Sequence, residues 1–258
     1  MAKYINKEIL CEAYTHLDID IYDNKAALNK LKSTLLPFFE ERAKFLLGDD
    51  VEIEIVFEPG SLKTKLRVLG SAGVALTLAI NSYGTFRESV TSLARDATAL
   101  TESANLEVIF RTKTQYCDRI TIEKRKGIFG RVDDLIGTLD KLKSSTGTEQ
   151  LPSSTRAIQE SSAIVDRLLE WNKKVSVLFD KLDNDDTKQC VSDGLTEELQ
   201  KFPTNFGWKK HLTGQGLRGA SIRTDASKLA ELESVNARLN SVVNSLRKDM
   251  KARSPKKK

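Results

Sequence analysis

Few side chains in this sequence could run a reaction. Its two histidines, His16 and His211, and its three cysteines, Cys11, Cys117 and Cys190, lie far apart along the chain. General-base or nucleophilic catalysis needs such groups held beside an orienting partner, and neither histidine sits in that context, so each reads as a surface or loop residue. Asp18, Asp20 and Asp23 alternate within Leu17-Asp18-Ile19-Asp20-Ile21-Tyr22-Asp23. In extended backbone they project to one side and could gather a divalent cation, although a solvated strand or turn explains them equally well. Asp183, Asp185 and Asp186 lack the glycine and distal glutamate of an EF-hand loop and read as a helix terminator. No carboxylate pair stands out as acid and base. The expectation is no catalytic residue, no metal site and no cofactor.

Gly214, Gly216 and Gly219 have the G-x-G-x-x-G spacing that lets backbone amides approach a pyrophosphate. That chemistry needs a strand before the motif and a helix directly after it. Here Trp208-Lys209-Lys210-His211-Leu212-Thr213 precedes and a helix starts only near Asp225, so the motif reads as a flexible loop. Three basic clusters carry more weight. They are Lys124-Arg125-Lys126 with Arg131, Lys209-Lys210 with Arg218 and Arg223, and the tail Lys251, Arg253, Lys256, Lys257 and Lys258. From Leu199 to Thr224 there is no acidic residue, and Phe202, Phe206 and Trp208 are interleaved with the positive charge. Aromatic faces can stack on bases while cations meet phosphates. The residues expected to contact an anion or nucleic acid are Lys124, Arg125, Lys126, Arg131, Trp208, Lys209, Lys210 and Arg218, with salt-sensitive and weakly sequence-selective binding. A solvated surface is the plainer explanation of the same clusters.

The elements that must position these residues begin with a β-hairpin over 51–68. Val51, Ile53, Ile55 and Phe57 alternate with Glu52 and Glu54, and Leu62, Thr64, Leu66 and Val68 alternate with Lys63, Lys65 and Arg67. Pairing symmetrically about Pro59-Gly60 would set Glu54 opposite Lys65 and Glu52 opposite Arg67. Before the hairpin, Asn24 can cap a helix carrying Leu28, Leu31, Leu35, Phe38 and Phe45, stopped by Gly48 and kinked or split near Leu36 by Pro37. After it, a helix through Val74, Leu78, Ile80, Tyr83, Val90, Leu93, Ala97 and Leu100 is expected to lid the hairpin, with Gly84 as its weak point. Residues 101–112 suit either helix or strand, and helix is preferred. Ile120 and Ile122 alternate with Thr121 and Glu123, the chain breaks at Gly127 and Gly130, and Val132, Leu135, Ile136, Leu139 and Leu142 restart a helical stripe.

Residues 143–154, rich in serine and threonine, read as a linker between an α+β module over 1–142 and a helical region over 155–253, with a basic tail at 254–258. In the second part Ile158, Ser161, Val165, Leu168, Asn172, Val175, Phe179 and Leu182, widened by Ile164, Trp171 and Leu178, describe a helix packed into a bundle. A shorter helix carries Val191, Leu195, Leu199 and Phe202, and Pro203 opens a glycine-rich basic loop over 203–224. The last helix repeats Leu232, Val235, Leu239, Val242 and Leu246 over three heptads. That narrow stripe wants one partner helix, either 158–182 of the same chain or a second subunit.

The 258 residues carry a net charge of +5, with 40% apolar and 30% charged side chains. A near balance of charge argues against a dedicated polyanion binder. Three scattered cysteines argue against a disulfide framework and for a reducing compartment, and the first residues lack a secretory signal pattern. A cytoplasmic protein is expected, with peripheral membrane contact as a variant. The uncharged segment 68–86 approaches the length of a spanning helix, but Asn81, Ser82, Tyr83, Gly84 and Thr85 fill its second half. The fold class expected is α+β and predominantly helical, with an N-terminal hairpin packed on helices and a C-terminal helical bundle or coiled-coil region. The function expected is non-enzymatic interaction or assembly with another protein or with itself, through helical surfaces and basic patches. Docking to a membrane through 68–86 and accessory binding of nucleic acid are the alternatives.

Overall fold

A computed structural model describes residues 8–21, 24–58, 61–149, 154–212 and 226–255. The chain divides into two compact units, one of Met1–Asp133 with Leu182–Cys190 and the other of Asp134–Lys181 with Val191–Lys258.

The first unit opens with β1 (Glu8–Leu17), α1 (Lys25–Leu47), β2 (Val51–Glu58), β3 (Lys63–Gly70), α2 (Ala72–Tyr83), α3 (Phe86–Thr112) and β4 (Arg119–Arg125). The strands form one antiparallel sheet in the order β2-β3-β1-β4. Taking α2 and α3 as one broken crossover, this is the split β-α-β-β-α-β arrangement. The fold class read from the sequence, α+β and mostly helical, is the one observed. α1 packs on β2, and α3 packs on β1, β4 and α1. Thr15 Oγ1 on β1 donates to Asn105 Oδ1 on α3 at 2.6 Å, and Asn105 Nδ2 donates to the Glu123 carbonyl at 3.0 Å. These bonds satisfy polar groups that burial would otherwise leave costly.

The hairpin forms with its buried face as expected, but its register differs by two residues. Glu54 faces Arg67, and Glu58 faces Lys63. An even shift keeps every side chain on its own face. Its cause is Leu62, which is wholly buried; its N–H donates to the Ile19 carbonyl and its carbonyl accepts from the Leu17 N–H. The end of β1 thus claims Leu62, and the ladder closes four residues wide. The cover on the sheet is α3 together with α1, while α2 packs on α3. Helix breaks at Gly84, then continues through 101–112.

In α1 the Asn24 side chain accepts from the Ala27 N–H and Gly48 ends the helix. Pro37 lies inside one continuous helix, on its exposed side, where water can serve the freed carbonyl. The buried stripe is Leu31, Leu35, Phe39, Ala43 and Leu47, and Phe45, expected inside, is 88% exposed.

In α4 (Gly127–Thr146), α5 (Ser154–Phe179), α6 (Asp185–Gln200), the short α7 (Lys209–Leu212) and α8 (Ala226–Arg253) the rest of the described chain is helical. The second unit takes α4 from Asp134 and α6 from Val191. α5 packs along α8, Trp171 Nε1 donates to the Leu135 carbonyl at 2.9 Å, and Ser192 Oγ donates to the Met250 carbonyl at 2.7 Å. Of the expected linker 143–154, the first four residues complete α4, and 150–153 lie outside the described residues.

Candidate functional site

The face of the sheet away from α1 and α3 carries a row of charge across all four strands. Glu12 on β1 faces Arg67 on β3 and Arg125 on β4, and Arg67 faces Glu54 on β2. Arg67 Nε lies 2.5 Å from Glu12 Oε2, and its Nη1 lies 3.0 Å from Glu54 Oε2. Arg125 binds the other oxygen of Glu12, reaches Glu123 at 2.6 Å and lies over the Tyr14 ring at 5.2 Å. Burial alone would lower the Arg125 pKa, but the bonds to Glu123 and Glu12 outweigh it and raise the value. Lys124, pointing to the helical side, pairs with Glu102 of α3 at 3.1 Å. An anion approaching Lys124 or Arg125 therefore competes with carboxylates already in place. Lys126 and Arg131 are exposed.

The second basic cluster loses its aromatic component. Trp208 is 4% exposed, stacks on Phe206 with centroids 5.3 Å apart, and donates its indole N–H to Ser161 Oγ at 3.1 Å. Phe202 and Phe206 are buried as well. The three aromatics are core residues, because a ring of that size gains most from burial once its polar atom has a partner; none can stack on a base. Lys209 reaches Asn205 Oδ1 at 3.0 Å, and Lys210 pairs with Glu149 at 2.8 Å. Arg218 and the glycine motif lie outside the described residues.

On α8 the buried stripe is Leu232, Asn236, Leu239, Val243, Leu246 and Met250. Leu232, Leu239 and Leu246 fall where the sequence put them, whereas Val235 and Val242 are half-buried and yield to Asn236 and Val243. Asn236 turns inward because its amide oxygen accepts from the Phe206 N–H at 3.0 Å and its nitrogen donates to Asn205 Oδ1 at 2.9 Å. The partner helix of this stripe is α5 of the same chain.

Elsewhere in the first unit one carboxylate is held deep in the fold. Glu8, 4% exposed, accepts through Oε2 from the Ala72 N–H at 3.0 Å and from Thr187 Oγ1 at 2.9 Å, while Thr187 Oγ1 accepts from the Gly73 N–H at 2.8 Å. Burial raises the Glu8 pKa, and the bond from Ala72 and that from Thr187 pull it back in part. Cys11 is fully enclosed, and desolvation pushes its thiol up to about 12. His16 Nε2 lies 2.7 Å from Ser61 Oγ. Asp18 and Asp20 are exposed, Asp23 falls outside the described residues, and no group of three potential metal ligands stands together among the described residues. Among those residues, also, no helix is long and apolar enough to cross a membrane.

The feature the sequence did not single out lies along the β4 edge. Leu106 and Phe110, one turn apart on α3, are 58% and 73% exposed, and Ile120 and Ile122 on β4 are 53% and 40% exposed. Tyr116, in the turn before β4, is 84% exposed with the Arg119 guanidinium 5.3 Å from its ring centre. The Lys124–Glu102 pair and the Asn105–Glu123 bond run α3 antiparallel to β4. Four residues of helix advance about 6 Å and two of strand about 6.7 Å, so Leu106 comes level with Ile122 and Phe110 with Ile120. The i,i+4 spacing of Leu106 and Phe110 and the alternation of Ile120 and Ile122 were visible in the sequence. Their meeting on an open edge required the topology. Comparison with protein-family models, curated protein sequences and solved structures finds no match to this chain.

Proposed function

We propose that this is a non-enzymatic interaction protein that recognises a protein partner through the α3/β4 edge of its first unit. The observation that carries the reading is the row of Leu106, Phe110, Ile120 and Ile122, each at least 40% exposed, beside the last strand of the sheet. Large apolar side chains gathered in one exposed row mark a surface meant to be covered. The stripe on α8, first in line from the sequence as an interface, is already taken up by α5. A photo-crosslinking amino acid at Phe110, with the exposed position Glu41 on α1 as control, tests this in cells. Adducts of defined mass from Phe110 and not from Glu41 are expected. Equal labelling from both, or none from either, would reject the edge as a recognition surface.

A second reading, docking to a lipid surface, draws on α2. Val74 and Leu78 are 42% and 52% exposed on one side of it and line a groove of about 410 Å³ with Thr77, Gln189 and Cys190. Shallow insertion of an amphipathic helix needs such a stripe. Co-sedimentation with anionic and neutral vesicles separates the two, since this reading requires loss from the supernatant that Leu78→Glu abolishes.

A further inference from the structure

We propose that Leu182–Cys190 is a pH-operated strap, clasped on β1 and α2 while Glu8 carries its proton and lifting locally when Glu8 ionises. The device is separate from recognition at the α3/β4 edge and does not depend on it. The strap leads from the end of α5 into the start of α6 and belongs with the first unit. Its hold is narrow. Leu182 and Thr187 are buried, whereas Asp183, Asp185 and Asp186 are exposed. Thr187 Oγ1 donates to Glu8 Oε2 at 2.9 Å and accepts from the Gly73 N–H at 2.8 Å, and Asn184 Nδ2 donates to Ser71 Oγ at 3.3 Å. A Cβ on Gly73 would come within 2.8 Å of the Thr187 nitrogen, so the two backbones all but touch there. Beyond that point they part. Val74, Thr77 and Leu78 on α2 and Gln189 and Cys190 on the strap line the groove of about 410 Å³, and a segment held at one point beside unfilled space opens at less cost than a packed core.

Glu8 controls the clasp because only one of its oxygens is provided for. Ala72 and Thr187 both donate to Oε2, while Oε1 is buried with no hydrogen-bond partner among the described residues. Ionisation spreads the charge over both oxygens, and a charge enclosed without a donor costs more than a neutral group does. None of the described groups that act on Glu8 is a cation. Gly70 faces it from β3, α2 offers Ala72 and Gly73, and the strap brings Asn184, Thr187 and the Asp183 carboxylate, which repels it. Burial raises the Glu8 pKa by more than Ala72, Thr187 and Asn184 lower it. Lifting the strap lets water reach both oxygens. The proton is therefore held more tightly with the strap closed than open, so closure is favoured at low pH and opening gains as pH rises.

Amide hydrogen exchange on the full chain, followed by NMR from the ordinary glutamate value of 4.5 up to neutral pH, tests the device. The Gly73 N–H is the reporter, since Thr187 is its partner, and amides of the β1–β3 ladder are the reference. After correction for the intrinsic pH dependence of exchange, the Gly73 amide is expected to open more readily than the ladder at every pH. Its opening constant should rise with pH by up to about tenfold per unit, the limit for one proton. Glu8→Gln should flatten that rise. A second measurement needs no variant: the carboxyl carbon signal of Glu8 should titrate above 4.5, over the range in which Gly73 opens. A Gly73 amide as protected as the ladder, an opening constant indifferent to pH, a rise that persists in folded Glu8→Gln, or a Glu8 carboxyl that titrates at or below 4.5 would each overturn the inference.

Discussion

Glu12 and Arg67 lie directly opposite one another on β1 and β3, with Arg67 Nε 2.5 Å from Glu12 Oε2, and Glu12 also accepts from Arg125. One carboxylate, its side chain 8% exposed, therefore holds two guanidinium groups on the open face of the sheet. Glu12→Ala leaves Arg67 with Glu54 and Arg125 with Glu123, and removes the link between the two pairs. Because both arginines are partly solvated, the expected loss is about 1–3 kcal/mol rather than the larger value for a fully buried pair. Urea unfolding at low and high salt checks it, with a smaller difference expected at high salt. Breaking the exposed Arg156–Glu160 pair with Arg156→Ala should leave the midpoint where it was.

Glu8 gives the fold a pH dependence of known sign. Burial raises its pKa above the ordinary value of 4.5, so the folded chain holds the proton more tightly than the unfolded chain does. Its contribution to stability is complete below that ordinary value and is lost as pH rises through the folded one. Relative to Glu8→Gln, which keeps an acceptor for Ala72 and Thr187, the unmodified protein should lose stability as pH rises from the ordinary value of 4.5 into the neutral range. Parallel denaturation curves across that range would contradict the assignment.

Asn236 offers a case in which an apolar substitution should do harm. Asn236→Leu would complete the leucine and valine stripe of α8, yet it leaves the Phe206 N–H without its acceptor. A stranded buried donor costs about 1–3 kcal/mol. Thermal unfolding should therefore start earlier in the variant, and a rise in its midpoint would show that stripe continuity outweighs the bond.

Two glycines separate backbone conformation from crowding. Gly84 has φ of 84° with open space where a Cβ would lie, whereas Gly127 has φ of 58° and a Cβ there would collide with the Leu10 carbonyl. Gly84→Ala should cost about 1–2 kcal/mol from the left-handed conformation alone. Gly127→Ala must also push β1 away from the start of α4, and its loss should be clearly larger. Equal losses by chemical denaturation would remove the steric part of this account.

How much of this was legible in the sequence varied with how locally each feature is determined. The buried side of α5 matches its apolar periodicity almost residue for residue, from Ser161 through Trp171 to Phe179, because one broad stripe and one helical period leave little choice. The hairpin faces were legible, but the two-residue register difference came from Leu62 bonding to the end of β1, a contact no local pattern reports. Trp208 looked like a stacking platform because it sits among lysines, and only tertiary packing supplies the Ser161 acceptor that lets it go inside. The α3/β4 row escaped notice for a related reason. Leu106, Phe110, Ile120 and Ile122 are unremarkable apart, and their alignment depends on a sheet order in which the strand latest in the chain stands at the margin.

The bond from Thr187 to Glu8 spans 179 positions, and Leu182–Cys190 belongs with the first unit. A gene fragment cut after α5 would thus encode every strand of the sheet yet omit the hydroxyl that satisfies its innermost acid. Such a truncated product should come out of expression insoluble or loosely folded, and adding back a synthetic peptide covering 180–192 would be the direct way to repair it.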